Sequence, residues 1–112
     1  LNGDTTNING ATSLTPFIST DADPKIQQFV EKYKTSYNAE PDQFAADGYD
    51  AVYAIKLAIE QAGGDTSNEA LIAAMTQITV DGLTGEMTFN ENGEPNKSAK
   101  VAVIQDGAYT AE

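Results

Sequence analysis

At 112 residues the chain fits one small domain or part of a larger one. Its 17 acidic against 6 basic side chains, a net charge of −11, would repel a phosphate backbone and argue against nucleic-acid binding, while 40% hydrophobic composition is too apolar for a disordered acidic tail. The absence of Cys and His removes disulfides, thiolate sites, the commonest zinc ligand and the commonest general base, so any catalysis would rest on carboxylates, hydroxyls or lysines.

Residues 1–9 are small and polar and read as loop. Leu1 stands where an initiator Met is absent, which reads as a cut end, with any export signal or lipid anchor expected outside this sequence. Gly10 to Thr15 is a short strand candidate closed by Pro16, which cannot donate to a ladder. Asp23 and Pro24 form a helix start, a side-chain cap followed by a proline where no hydrogen bond is lost. Ile26, Phe29, Val30, Tyr33 and Tyr37 then recur at helical spacing, predicting a helix from about Pro24 to Tyr37 with that face buried. Asn38 to Pro41 breaks it.

Glu40 to Gly64 reads as one long helix with a proline-marked entrance at Pro41, an acidic first turn and a Gly63-Gly64 stop. Phe44, Ala45, Tyr49, Val52, Ile55, Ile59 and Ala62 recur at steps of three and four, a continuous stripe expected to be the core contact. Thr66 and Glu69 have capping-box spacing. A third helix follows with Leu71, Ile72, Met75 and Ile78 as its expected buried face. From Val80 the period changes: Asp81 to Gly85 is turn-rich, and Glu86 to Phe89 alternates as a half-buried strand does. Lys100 to Gln105 is an apolar strand, and Asp106-Gly107 is a two-residue hairpin signal leading into Ala108-Tyr109. No internal repeat is present.

Asn90 to Glu94 places oxygen ligands around a glycine but lacks the spaced Asp pattern and distant Glu of a calcium loop, so it reads as a polar turn. Gly82-Leu83-Thr84-Gly85 has no Gly-Lys-Ser/Thr, so it reads as a tight turn and not a phosphate cradle. Asp42, Asp47 and Asp50 lie near the start of the long helix, where its dipole favours carboxylates, and stability alone accounts for them. Phe44 at the head of an apolar stripe is in the same way first a core residue. The alternative is that Phe44 and Asp47, three apart on one face, look into a cleft. An aromatic wall with a carboxylate suits an organic ligand bearing an amine. An enzyme would need Asp47 and Asp50 as an acid-base pair, and no His or Lys stands beside them in sequence to assist.

The run FAADGYDAVYAIKLAIEQAGG, the helix EALIAAM, and VDGLTGEMTFNENGEPNKSAKVAVIQDGAY together resemble the carboxy-terminal third of type I periplasmic binding proteins. Those are extracytoplasmic receptors of ABC transporters for branched-chain amino acids and similar solutes. Tyr49-Asp50-Ala51, Gly82 to Gly85, Phe89 to Gly93 and Asp106-Gly107 carry the likeness by their order and spacing. It covers about Gly10 to Tyr109.

The resemblance implies an α/β fold: a single partial domain over 1–112, cut from a two-lobed protein whose lobes are parallel-type sheets flanked by helices. About four strands and three helices are expected. Residues 10–37 would give a strand and helix of the second lobe, 38–43 a hinge, 44–95 the helices and strand of the first lobe, 96–100 a second hinge, and 101–112 a terminal hairpin of the second lobe. It implies ligand contact by Phe44, with weaker transfer to Asp47, and no catalysis, cofactor or metal. The implied partners are an amino acid or similar small polar solute and an ABC permease, with no nucleic acid. A ligand-sensing module of a signalling receptor is the alternative. Family members run to about three times this length, so the isolated chain is expected to self-associate, to exchange elements between copies, or to rearrange.

Overall fold

The computed structural model describes residues 3–111; Leu1 and Asn2 of the expected opening loop, and Glu112 at the end of the expected hairpin, lie outside the described residues. Three helices and five strands follow in the order β1 (Thr12–Thr15), α1 (Pro24–Tyr37), α2 (Gln43–Gln61), α3 (Asn68–Met75), β2 (Thr79–Gly82), β3 (Gly85–Thr88), β4 (Lys100–Gln105) and β5 (Ala108–Ala111). They fall into two compact units. The first comprises residues up to Phe44 together with those from Ala99 onward, and the second runs from Ala45 to Ser98.

In the first unit β4 lies between β1 and β5, antiparallel to both, with Leu14 opposite Val101 and Ile104 opposite Tyr109. The β4–β5 turn is Asp106-Gly107 with φ of 49° and 80°, the left-handed pair that matches strand twist. Helix α1 begins where Asp23 accepts the Lys25 N–H at 2.8 Å and ends where Asn38 adopts a left-handed conformation and donates its N–H to the Lys34 carbonyl at 2.8 Å. Ile26, Phe29 and Val30 are buried with Phe17, Ile18, Ala102 and Ile104. Phe17 meets Phe29 edge-on at 6.0 Å. Tyr33 is only half-buried and Tyr37, expected on the buried face, is exposed.

The second unit holds most of α2, all of α3 and the β2–β3 hairpin, with Val80 opposite Met87. Its core joins Ala54 and Ala58 to Ala74, Ile78, Val80 and Met87. This reverses the face expected for α2. The stripe of Val52, Ile55 and Tyr49 is exposed, Val52 by 66%, whereas Ala46, Asp50, Ala54 and Ala58, each four apart, are buried. Small side chains let the helix backbone approach its neighbours closely, and an alanine row does this where Val and Ile do not. The first turn of α2 carries no acidic residue, and its last turn gives way at Gly63 and Gly64 with positive φ. In α3 the exposed Ile72 departs from expectation while Ala74 takes the buried place. Its cap is Ser67, whose Oγ accepts the Ala70 N–H, so the capping hydroxyl falls one residue after Thr66.

The expected tight turn within 81–85 is present at Leu83-Thr84, and the residues before it form a strand that was not expected, raising the strand count from about four to five. Every strand pair among the described residues is antiparallel, where parallel-type sheets were expected for the intact lobes.

Candidate functional site

Several constellations among the described residues carry polar chemistry. The most buried centres on Asp50, 3% exposed on the packed face of α2. Its Oδ1 accepts the Leu83 N–H at 2.7 Å; its Oδ2 accepts the Thr84 N–H at 2.9 Å and the Thr84 hydroxyl at 2.7 Å. A fixed carboxylate thus satisfies both N–H groups of the two-residue β2–β3 loop. Neither Leu83 nor Thr84 has positive φ; the positive φ of this turn falls on Gly85, at 104°, directly after them. Asp50 is therefore committed to structure. Its neighbour Tyr49 is pushed up to about 12, chiefly by the hydrogen bond its hydroxyl donates to Tyr53 at 3.3 Å. At neutral pH it is an uncharged phenol, not a base.

The sequence-derived pair Phe44 and Asp47 falls in different units. In the second unit, Asp47 accepts a hydrogen bond from Lys97 Nζ at 2.7 Å, with both side chains about one-third exposed. Its charge is already countered by a cation 50 residues away, which spacing along one helix did not reveal.

Phe44 is the last residue of the first unit and is 77% exposed. Its ring stands at the wall of a cavity of about 660 Å³ within that unit, a volume in the range of small-molecule sites. The walls come from β1, the segment after it, residues 40–44 and the start of β5. Thr15 Oγ1 donates to the Phe17 carbonyl at 3.0 Å and approaches Gln43 Oε1 at 3.4 Å. Thr20 Oγ1 donates to the Tyr109 carbonyl at 2.8 Å, joining positions 89 residues apart. Gln27 Nε2 from α1 donates to the carbonyls of Ser19 and Asp21, at 2.9 and 2.6 Å, and so fixes the segment that forms the rim. The lining includes Glu40 and Asp42 but no Lys or Arg. Glu40 is paired with Lys34 at 2.6 Å. Thr15, Thr20, Gln43 and Tyr109 carried no sequence signal, because only strand pairing and the α1 contact bring them together.

Near this rim, Asp21 accepts from Lys100 Nζ at 2.6 Å and from the Asp23 N–H at 3.0 Å. The Lys100 hydrogen bond first, and the Asp23 N–H second, hold its carboxyl below the usual range. At the Asn90 turn, Asn90 Oδ1 accepts the N–H groups of Asn92 and Glu94 at 3.0 and 2.9 Å, while its Nδ2 donates to Glu94 Oε2 at 2.8 Å. The segment is a polar turn closed on itself. Among the described residues no group of three or more acidic side chains is arranged to hold a metal ion, and no helix is long and apolar enough to cross a membrane.

Comparison with solved structures places this α/β arrangement among solute-binding proteins of ABC transporters. A leucine binding protein from Thermotoga maritima is 31% identical with a TM-score of 0.74, the match covering 94% of this chain and 30% of that one. An ABC-type branched-chain amino acid transporter protein from Rhodopseudomonas palustris is 26% identical with a TM-score of 0.78, over 93% and 29%. A second R. palustris protein, a solute binding protein in complex with benzoate, is 22% identical and shares the fold with a TM-score of 0.78, over 93% and 29%. The chain therefore spans about 30% of the length of these structures. The periplasmic binding protein family model matches residues 3–108, and the chain belongs to that family. Its fold is a portion of the type I periplasmic-binding-protein fold.

Proposed function

We propose that this chain is part of an extracytoplasmic solute-binding protein that captures an amino acid between two lobes and delivers it to an ABC permease, without catalysing a reaction. The observation that carries the reading is the exposed Phe44 ring on the wall of a 660 Å³ cavity whose charged lining is acidic only. Such a wall favours an amine-bearing organic ligand: the ring takes apolar surface out of water and its face attracts a cation. A ligand recognised by its carboxylate alone would find no cation on these walls. The likeness to a leucine binding protein at 31% identity supports the same class. Asp47 belongs to the proposal as a second contact, for which the ligand's ammonium would compete with Lys97. Segments 38–43 and 96–100 are the proposed hinges, supported by the chain's passage between its compact units after Phe44 and after Ser98.

Thermal-shift screening of a full-length polypeptide carrying this sequence tests the ligand class, since a ligand that binds the native state raises the melting temperature. Amino acids are expected to raise it and benzoate is not. Phe44→Ala is expected to weaken the best amino acid by about 10- to 100-fold, the equivalent of the roughly 1.5–3 kcal/mol of a buried aromatic side chain. A shift by benzoate alone, or unchanged affinity in the variant, would overturn the reading.

For the isolated chain we propose self-association through the uncovered apolar side chains of α2 and α3, among them Val52, Ile55 and Ile72. Sedimentation velocity is expected to show species larger than 11.9 kDa that dissociate in Val52→Asp. A single monomeric boundary at all concentrations would refute it.

A further inference from the structure

We propose that the return connector between the two compact units bends at Ser98-Ala99, and that Lys97 and Lys100 act as ionic pins confining the bend to that dipeptide. The proposal rests on the hinge reading above but not on the ligand class. On one side, the Asn96 N–H donates to the Thr88 carbonyl at 2.8 Å, and Lys97 pairs with Asp47 at 2.7 Å, all within the second unit. On the other, Lys100 opens β4 opposite Thr15 and pairs with Asp21 at 2.6 Å, all within the first. Each lysine thus ties its end of the connector to its own unit.

Between them stand two small, exposed residues outside any strand or helix, which make no hydrogen bond or ion pair with other described residues. The chain passes from one unit to the other between them. Rotation at Ser98-Ala99 breaks no hydrogen bond or ion pair made by these two residues, whereas the other crossing between the units lies in the first turn of α2. Rotation one residue to either side strains an ion pair. Pairs as exposed as these are individually weak, so they do not lock the connector; they decide which backbone bonds turn first. The Asp21–Lys100 pin is the firmer, because Asp21 is the least exposed of the four side chains and its other oxygen is held by the Asp23 N–H.

Backbone ¹⁵N relaxation of the 112-residue chain across 96–100 tests this. Order parameters are expected to dip below about 0.6 at Ser98 and Ala99 while Asn96 and Lys100 stay near about 0.85. In Asp47→Asn the mobile stretch should lengthen back to Lys97, stopping at Asn96, which Thr88 still holds, and in Asp21→Asn forward to Lys100, each leaving the opposite flank unchanged. Lys97→Gln and Lys100→Gln should reproduce these effects from the other partner, which keeps the test available where an aspartate variant fails to fold. Uniform order across 96–100, together with no relaxation dispersion at Ser98 and Ala99 on the slower timescale of hinge motion, would overturn the bend and the hinge with it. A dip that none of the four variants widens would overturn the pins and leave the hinge standing.

Discussion

Asp50→Ala is expected to destabilise the second unit by about 3–5 kcal/mol, the largest single loss predicted for this chain. The substitution leaves the N–H groups of Leu83 and Thr84 and the Thr84 hydroxyl without their acceptor, at a site where Leu83 and Thr84 are almost fully buried. The hydroxyl can turn to another partner; the two backbone donors cannot. Each buried donor left unpaired costs roughly 1–3 kcal/mol, and hydrogen bonds to a charged acceptor are at the strong end of the range. The carboxylate also holds the hairpin loop to α2, since both loop N–H groups end on it. Urea unfolding followed by circular dichroism, at one fixed protein concentration, should show the midpoint fall with the slope unchanged. A loss below about 1 kcal/mol would mean that the loop finds other partners, and the keystone role would be wrong.

That hairpin also shows where the sequence stopped being legible. The Asp106-Gly107 turn was readable because its closing force is local: a residue tolerant of positive φ followed by glycine. The β2–β3 turn is held by an aspartate 33 residues earlier; Gly82 to Gly85 read as the tight turn it is, but nothing local marked Thr79 to Gly82 as its partner strand, and that strand was missed. The same separation inverted α2. Its Val and Ile stripe has the stronger periodicity, yet Ala46, Asp50, Ala54 and Ala58 form the packed face, because the covering residues, Ala74, Ile78, Val80 and Met87 among them, come from later elements. Periodicity locates an apolar face without saying whether that face is covered within the same chain. α1 was legible down to its caps since Asp23, Pro24 and Asn38 act on their own neighbours. At the candidate site, Phe44 stood out by type and position, whereas Thr15, Thr20 and Gln43 reach the cavity only through tertiary pairing. The lysine partner of Asp47, 50 residues on, was hidden for the same reason.

Gly82→Ala is expected to cost about 3 kcal/mol, and about two thirds of that cost should vanish once Asp50 is an alanine. A methyl group at position 82 would sit 2.5 Å from Asp50 Oδ2 and 2.7 Å from its Cγ, closer than side-chain atoms approach. Glycine is required here by the carboxylate and not by its own backbone, since its φ lies outside the left-handed region. A long side chain would swing away, but Asp50 is short and held by three donors, so relief of the clash must stretch the bonds that close the hairpin. Overpacking of this kind costs roughly 1–3 kcal/mol, and the tethered partner places it at the upper end. With Asp50→Ala the space around the added methyl opens, and Gly82→Ala should then cost less than about 1 kcal/mol. The double-mutant cycle should therefore return a coupling of about 2 kcal/mol, inside the range for residues in contact. Sulfate added equally to all four proteins keeps the weakest of them folded enough to measure. Additivity within about 0.5 kcal/mol would show that the two residues act independently, and the close approach of α2 to the hairpin would then have to be held by the alanine row alone.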